Sequence, residues 1–228
     1  MPNLTIFDLD NTLLAGDSDR AWGQYIVDKK VVSEEFLSES ERFYNNYYDG
    51  NLDIHRFLDF CLQPLMQNNW NDLIELRKGF IKDKIKPMML DKAIEKVVLC
   101  KSKGPVIIAT ATNSFVTRPI ADLFGIDNLI ATEFVIKDNK FTGEVDGVPC
   151  FREGKVQKVE SWINKNNFSF TDATFYSDSF NDLPLLEKVK TAIVVDGDDK
   201  LIEMAKHNEW QCISFRYCLL YTSDAADD

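Results

Sequence analysis

The sequence predicts an α/β protein with a doubly wound, mainly parallel sheet and a small helical segment inserted after the first strand. Residues 4–9 form a short, mostly apolar run that ends in polar turn residues, which is typical of a strand buried on both faces of a sheet. From Pro87 onward, further apolar runs alternate with stretches of helical periodicity. Such alternation favours parallel strands that are connected by helices on both faces of the sheet.

The stretch between these two parts, from residue 19 to about residue 85, is rich in aromatic residues and poor in β-branched runs. A helix is predicted to begin near Ser33, which is a good N-cap residue, and Gly50 breaks the chain after it. Residues 53–66 and 70–81 carry apolar stripes at helical spacing. We therefore predict a small bundle of helices here, with the aromatic residues in its core.

The chain accordingly divides into a core domain of residues 1–14 and 86–217 and a helical domain of residues 15–85, with hinges at Ala15-Gly16 and Lys86-Pro87. The elements predicted in the second part of the core are, in chain order, helix 90–103, strand 106–110, helix 118–124, a hairpin of residues 130–137 and 141–145, helix 155–166, strand 174–176, helix 182–188, strand 192–195, helix 200–207 and strand 212–215.

The last stretch of the chain, residues 218–228, follows no pattern found in the rest and looks like translated sequencing adapter. We treat it as a non-native tail and leave it out of the fold prediction. The natural C-terminus is then expected to be missing, and a final element of the fold with it.

Composition and charge exclude several classes of partner. The chain has 228 residues and a formal net charge of −11, with no run of basic residues, so nucleic acid is not expected as a partner. Its five cysteines form no C-x-x-C pair, which indicates reduced thiols in a cytoplasmic protein. No secretory signal is visible and the apolar runs are too short to span a bilayer, so no membrane association is expected. The sequence leaves the oligomeric state open.

Asp8 and Asp10 lie at the carboxyl end of the first strand, where open α/β sheets bind ligands. Because Asp10 already lies in the turn, the two carboxylates can take different roles. One can act as a nucleophile and the other as an acid/base, provided that a cation offsets their repulsion. The same residues also suit a simple Asx-type turn, so the pair alone does not decide the function.

Further polar residues occupy comparable positions: Thr110 ends a strand, Lys155 begins a helix, and Asp178 and Asp182 follow another strand. Each alone also fits a structural role, as a β-branched strand residue, a surface lysine or a helix N-cap. The carboxyl ends of parallel strands, however, share one edge of the sheet. Two acid pairs, a hydroxyl and a lysine at that edge together predict a cation-binding phosphoryl-transfer site.

In these residues the sequence resembles the haloacid dehalogenase-like hydrolases. Residues 7–13, Phe-Asp-Leu-Asp-Asn-Thr-Leu, are similar to the family's first motif. The second, third and fourth motifs are matched in order by Thr110, Lys155 and Asp178-x-x-Asn181-Asp182. The resemblance implies a Rossmann-like core, and the inserted helices resemble the cap of the phosphoserine phosphatase-like branch. Within that branch, residues 14–19, 117–121 and 151–155 are similar to histidinol-phosphatases.

The resemblance implies hydrolysis of a small phosphomonoester through an aspartyl-phosphate on Asp8. Asp10 would protonate the leaving alcohol and then activate water. Mg²⁺ would be bound by the Asp8 carboxylate, the Asp10 backbone carbonyl and Asp178. Thr110 and Lys155 would hold the phosphoryl oxygens. In the fourth motif, which also contains Asn181, Asp182 would orient Lys155 or a metal-bound water.

Substrate selection is expected from the helical cap and the residues around its mouth. The candidates are Asp17, Asp19, Arg20, Arg56 and Arg118. An acidic residue that faces the site would suit an ammonium-bearing substrate such as phosphoserine or histidinol phosphate. Each candidate also fits a solvated surface position.

Two alternative functions stay open at this point. A phosphotransferase would use the same chemistry and pass the phosphoryl group to an acceptor alcohol. A non-catalytic signalling domain of the receiver type also combines acids, a threonine and a lysine on such a sheet. Receiver domains are roughly half as long and carry no helical insert after the first strand, which favours an enzyme.

Overall fold

A computed structural model describes residues 3–216; the predicted tail, residues 218–228, lies outside them. The strands are β1 (Leu4–Phe7), β2 (Val106–Asn113), β3 (Asn128–Lys137), β4 (Lys140–Asp146), β5 (Ala173–Ser177), β6 (Thr191–Val195) and β7 (Gln211–Ile213). The helices are α1 (Ser18–Asp28), α2 (Glu35–Asp49), α3 (Ile54–Met66), α4 (Trp70–Phe80), α5 (Lys86–Met88), α6 (Asp91–Lys101), α7 (Ser114–Leu123), α8 (Glu153–Lys165), α9 (Leu183–Leu186) and α10 (Asp199–His207). A π-helical turn, Ile81–Ile85, joins α4 to α5.

The strands form one sheet in the order β4-β3-β2-β1-β5-β6-β7. All neighbouring pairs are parallel except β3 and β4, which form the predicted hairpin. The chain moves outward from β1 in one direction through β2 and β3, and later in the other direction through β5, β6 and β7. This confirms the predicted doubly wound, mainly parallel sheet, with its switch point at the central strand β1.

Both faces of β1 are buried, because helices cover the sheet on both sides. Leu4 and Ile6 pack in a core with residues of α8, α9 and α10. Phe7 points to the opposite face, where α6, α7 and the helices α1, α3 and α4 contribute to the second core. The continuous apolar character of β1 therefore follows from its central position in the sheet.

The chain leaves the sheet for the inserted helices and returns to it at neighbouring points. The N–H group of Ala15 donates to the carbonyl of Met88 at 2.7 Å, and that of Leu90 donates to the carbonyl of Leu13 at 3.4 Å. Both crossings lie within a few residues of the predicted hinges. None of the helices formed by residues 3–216 is long and apolar enough to cross a membrane.

The region around α7 differs from the prediction. Strand β2 continues to Asn113, and α7 begins at once at Ser114, with the Asn113 side chain accepting from the N–H group of Val116 at 3.2 Å. Pro119 consequently lies inside the helix rather than near its start. A proline has no N–H to donate to the carbonyl four residues earlier, that of Phe115. Arg77 of α4 donates to this carbonyl instead, at 2.6 Å.

The end of the chain also differs from the prediction. Strand β7 stops at Ile213, two residues before the predicted end. The N–H group of Phe215 donates to the Asp196 carboxylate at 3.1 Å instead of to a neighbouring strand. A side-chain acceptor therefore draws the chain out of the sheet at this point.

Candidate active site

The predicted site residues meet at the carboxyl edge of the three central strands. Asp8 follows β1, Thr110 lies near the end of β2, and Asp178 follows β5. Strands β2 and β5 flank β1 in the sheet, with Phe7 in register with both Ile108 and Tyr176. The three side chains therefore lie at the switch point, where a crevice forms because the chain connections on either side of it diverge.

Lys155, in the first turn of α8, is the cation of this crevice. Its side chain is only 3% exposed, and its Nζ lies 2.9 Å from Asp8 Oδ1 and 2.6 Å from Asp182 Oδ1. Burial by itself lowers the pKa of a lysine, but the two carboxylates raise that of Lys155 well above its usual value. Lys155 is therefore charged, and the carboxylates of Asp8 and Asp182 are its partners.

The Asp8 carboxylate is 7% exposed, and Lys155 donates a hydrogen bond to its Oδ1. Burial, together with the charges of Asp182 and Asp10, raises the pKa of Asp8 to about 7, against the lowering effect of Lys155. One lysine therefore does not compensate the negative charge that gathers here. A further cation in the crevice would stabilise the ionised form of Asp8.

Asp10 is held by donors from three directions. Its Oδ1 accepts from the N–H group of Ser18 at 2.6 Å, and its Oδ2 accepts from the hydroxyls of Thr112 at 2.9 Å and Thr110 at 3.4 Å. Burial and the charge of Asp17 raise the pKa of Asp10 to about 6, against the lowering effect of its hydrogen bonds. A carboxyl group with such a pKa can both donate and accept a proton near neutral pH.

The sequence prediction missed Thr112 and Ser18. Thr112 lies two residues after Thr110 on β2, and side chains two apart on a strand share a face, so this spacing was the available signal. Ser18 gave no such signal, because its N–H reaches Asp10 only through the turn that leads into α1.

Asp178 and Asp182 complete the acidic cluster. The Thr12 hydroxyl donates to Asp178 Oδ1 at 3.2 Å, and the Ser177 hydroxyl donates to Asp182 Oδ2 at 2.7 Å. Loss of water contact, together with the charges of Asp8 and Asp182, raises the pKa of Asp178 well above its usual value. Asp182 is thus fixed by two partners, whereas Asp178 is a carboxylate with unmatched charge.

The donor set fits a magnesium ion. Asp8 and Asp178 supply carboxylate oxygens, and burial together with neighbouring carboxylates raises the pKa of each, which a bound cation would oppose. Among residues 3–216 no three carboxylate, histidine or cysteine side chains lie close enough to bind one ion together. Mg²⁺ does not need such a cage, because it usually keeps several waters and binds through one or two carboxylates.

A cavity above this edge is roofed by the inserted helices. Aromatic side chains of α2 and α3 line it, among them Tyr44, Tyr47, Tyr48 and Phe57, none of which the sequence prediction assigned to the site. Asn181 also lines the cavity; its amide oxygen accepts from the side chain of Arg152 at 2.8 Å and 3.0 Å.

Of the predicted substrate-binding residues, Asp17 and Asp19 line this cavity and the three arginines do not. Arg20 is exposed and pairs with Glu41 at 2.5 Å. Arg56 is 81% exposed and lies 3.5 Å from Asp53, one turn earlier.

Arg118 lies in the middle of α7 and outside the cavity lining, and its side chain extends towards the end of that helix. Its guanidinium donates to the Asp122 carboxylate at 2.9 Å and to the carbonyls of Ile126 and Asp127 at 2.5 Å and 2.9 Å. These bonds close the loop that follows α7. Arg118 thus serves the end of its own helix and does not reach a substrate in the cavity.

A doubly wound sheet with a buried lysine between carboxylates at its switch point defines a hydrolase built for phosphoryl transfer. The chain belongs to the haloacid dehalogenase-like hydrolase family, whose sequence profile matches residues 5–187.

Similar proteins narrow this class. Histidinol-phosphatase of Neisseria meningitidis serogroup C (strain 8013) is 37% identical over 222 residues, covering 95% of this chain and 100% of that protein. A crystal structure of a protein of unknown function from Bordetella pertussis Tohama I has a TM-score of 0.86 and 34% identity, covering 95% of this chain and 100% of that one. A substrate-bound phosphoserine phosphatase shares the fold, with a TM-score of 0.70 at 20% identity over 93% of both chains. The protein is accordingly a phosphatase of this family.

Asp19 offers a test of the electrostatics of the cavity. Burial and the charge of Asp10 raise its pKa from the usual 3.8 to about 6, although Tyr44 and Cys61 donate to it. The folded state therefore favours neutral Asp19, and its stability decreases as the pH rises from about 4 through about 6. Asp19→Asn should raise Tm at pH 7.5, by about 2–4 °C for each kcal/mol recovered, and leave it unchanged at pH 4.

Thermal unfolding in the presence of a chelator, at both pH values, measures this effect without contribution from a bound metal. Asp59→Asn, at an exposed position of α3, is the matched control and should leave Tm unchanged at both. A lower Tm for Asp19→Asn at pH 7.5 would contradict the assigned charge balance.

Proposed function

We propose that the protein is a Mg²⁺-dependent phosphomonoester hydrolase that forms an aspartyl-phosphate on Asp8. The observation that supports it best is the contact of Asp8 Oδ1 with Lys155 at 2.9 Å, beside a separately held Asp10. Lys155 leaves one carboxylate oxygen of Asp8 for attack and offers positive charge where phosphoryl oxygens would lie. The family supplies the precedent for this chemistry.

In the first half-reaction, an oxygen of Asp8 attacks phosphorus and the bond from phosphorus to the substrate oxygen breaks. Asp10 gives its proton to the departing oxygen, which leaves as an alcohol. In the second half-reaction, ionised Asp10 takes a proton from water, whose oxygen attacks phosphorus and releases phosphate from Asp8. Lys155 and Thr110 would bind the phosphoryl oxygens during both steps.

Mg²⁺, held by the carboxylates of Asp8 and Asp178 and the backbone carbonyl of Asp10, would supply charge neutralisation for Asp8 and the phosphoryl group. We also propose that residues 15–85 act as a cap domain over the core of residues 1–14 and 86–217. The aromatic roof that α2 and α3 place over the cavity supports this assignment.

The charges of the cavity favour a cationic substrate without a carboxylate. Beyond the phosphoryl-transfer residues, Asp17 and Asp19 face the cavity, and no arginine among the described residues lines it. Of the two lysines that do, Lys155 is engaged by carboxylates and Lys200 donates to the carbonyl of Tyr48 at 2.9 Å. A substrate carboxylate would therefore lack a free cationic partner there.

Histidinol phosphate meets this requirement better than phosphoserine does. It carries an ammonium group and an imidazole ring but no carboxylate, and the aromatic side chains of Tyr44 and Phe57 can pack against a planar ring. The name of the Neisseria relative points the same way. A phosphotransferase would show the same cavity, whereas membership of a hydrolase family speaks against a non-catalytic signalling domain.

The substrate preference can be measured directly. We expect kcat/KM for histidinol phosphate to exceed kcat/KM for phosphoserine. Asp17→Asn should lower kcat/KM for histidinol phosphate by about 10-fold to 100-fold, because a charged hydrogen bond is lost. Both forms should release phenol equally fast in a single turnover of an aryl phosphate, which has no ammonium group and needs no proton from Asp10, and Asp59→Asn is again the control. Preferential hydrolysis of phosphoserine would refute the charge argument. If added alcohols become phosphorylated, the protein is a phosphotransferase.

The nucleophile has its own test. Asp8→Asn should abolish phosphate release, because the amide cannot attack phosphorus, while shape and volume stay nearly the same. Its Tm should not fall, since burial already disfavours the charge of Asp8. Phosphate release is measured with Mg²⁺ and with excess chelator; turnover by the variant, or by the wild-type protein in chelator, contradicts the proposal.

The role of Asp10 can be tested by comparing substrates with different leaving groups. Asp10→Asn should lose about 10²–10⁴-fold of the rate for an alkyl phosphate, because the departing alkoxide needs a proton. An aryl phosphate needs no such proton, so phenol should appear in a burst that is followed by slow hydrolysis of the aspartyl-phosphate. Single-turnover measurements with both esters check this; equal losses would show that Asp10 is not the acid.

A further inference from the structure

Arg152, just before α8, has a backbone conformation that side chains disfavour. Its φ is 48° and its ψ is −120°. The N–H group of Gly154 donates to the carbonyl of Phe151 at 2.9 Å, which places Arg152 at the second position of a tight turn. Glycine is preferred there because it has no Cβ. An arginine at such a strained position indicates that its side chain has a function.

The guanidinium of Arg152 connects the core to the inserted helices. Its Nε and Nη2 donate to Asn181 Oδ1 at 3.0 Å and 2.8 Å, and Nη2 also donates to the carbonyl of Gly50 at 2.8 Å. The Phe151 ring supports the group from one side, 5.1 Å from its centre. One side chain thus contacts both the fourth-motif asparagine and the residue that ends α2.

These contacts fix the orientation of the Asn181 amide. An arginine has only donors, so the oxygen of the amide must face it. The amide nitrogen then points the other way and donates to the carbonyl of Tyr47 at 3.3 Å. Arg152 therefore decides which end of Asn181 meets the core and which meets α2.

The end of α2 is a suitable place for such an attachment. Its last carbonyls lack helical partners and carry partial negative charge. Besides Arg152 and Asn181, Lys200 donates to the carbonyl of Tyr48, and the Tyr47 hydroxyl lies 2.8 Å from Ser179 Oγ. The side chains of Tyr47 and Tyr48 line the cavity.

We infer that Arg152 is a positioning residue that holds the end of α2 over the cavity and aligns the Asn181 amide. Arg152 is absent from the cavity lining, so it acts through the groups that it holds. The inference goes beyond the proposed function, and only the kinetic part of its test rests on that function.

The test uses Arg152→Gly in the full chain, because glycine fits the turn and removes only the side chain. Its Tm should equal or exceed that of the wild-type protein, whereas hydrogen exchange at the amides of Gly50 and Asn51 should become about tenfold faster. Glu209→Gly, which relieves another positive φ of 56° at an exposed position between α10 and β7, is the control and should leave this exchange unchanged. Arg152→Lys keeps the positive charge but loses the paired N–H donors of the guanidinium. Its exchange rate at Gly50 and Asn51 should lie between those of the wild-type protein and Arg152→Gly.

For hydrolysis of an aryl phosphate, Arg152→Gly should raise KM about fivefold or more with a smaller change in kcat, and Arg152→Lys should recover part of the loss. Wild-type exchange at residues 46–51 in both Arg152 variants would overturn the inference. So would a lower Tm with faster exchange throughout the chain, which indicates a purely structural role. If the wild-type protein hydrolyses no phosphomonoester, the proposed function fails while the exchange measurement still decides the role of Arg152.

Discussion

Lys155 is a buried cation between two carboxylates, 2.9 Å from Asp8 and 2.6 Å from Asp182. Each of the three comes from a different connection of the sheet, so the pairs tie together the elements that follow β1 and β5 and the start of α8. Removing Lys155 would leave both carboxylates without their cation, a change that typically costs about 3–5 kcal/mol, whereas loss of Asp8 alone leaves Lys155 paired with Asp182. Charge balance here still favours a further cation, since Asp178 has no basic partner in this cluster. Structure and chemistry thus depend on the same electrostatic arrangement.

The inserted helices share an apolar core with α6 and α7, and hydrogen bonds to carbonyl groups that regular structure leaves without partners also attach them. Pro119 frees the carbonyl of Phe115, which accepts from Arg77, and the end of α2 frees those that accept from Lys200 and Arg152. Such contacts are directional, and few apolar side chains take part in them. At the end of α2 they fix the position of the roof, in addition to the apolar packing of the other inserted helices.

The sheet edge and the cavity above it share one excess of negative charge. The acidic cluster lies at the sheet edge, and Asp17 and Asp19 add their carboxylates to the lining of the cavity. Burial, and after it the charge of a neighbouring carboxylate, raises the pKa of both Asp17 and Asp19 to about 6, so a positive charge in the cavity would favour their ionised forms. No arginine is present in the described lining of the cavity, so a carboxylate group there would have no guanidinium partner.

The sequence alone determined the fold class and the residues at the sheet edge, because both depend on local patterns. A buried parallel strand is a continuous apolar run, and parallel strands place their carboxyl ends together; Asp8, Thr110 and Asp178 could therefore be grouped without coordinates. Contacts made across long sequence separations were decided only by the tertiary structure. Arg152 reaches Gly50 through the packing of α2 on the core, and Arg118, although near the motifs in sequence, turns to its own helix end. No periodicity records where a long, flexible side chain finds its acceptor, because that depends on which free carbonyl the folded chain brings within reach.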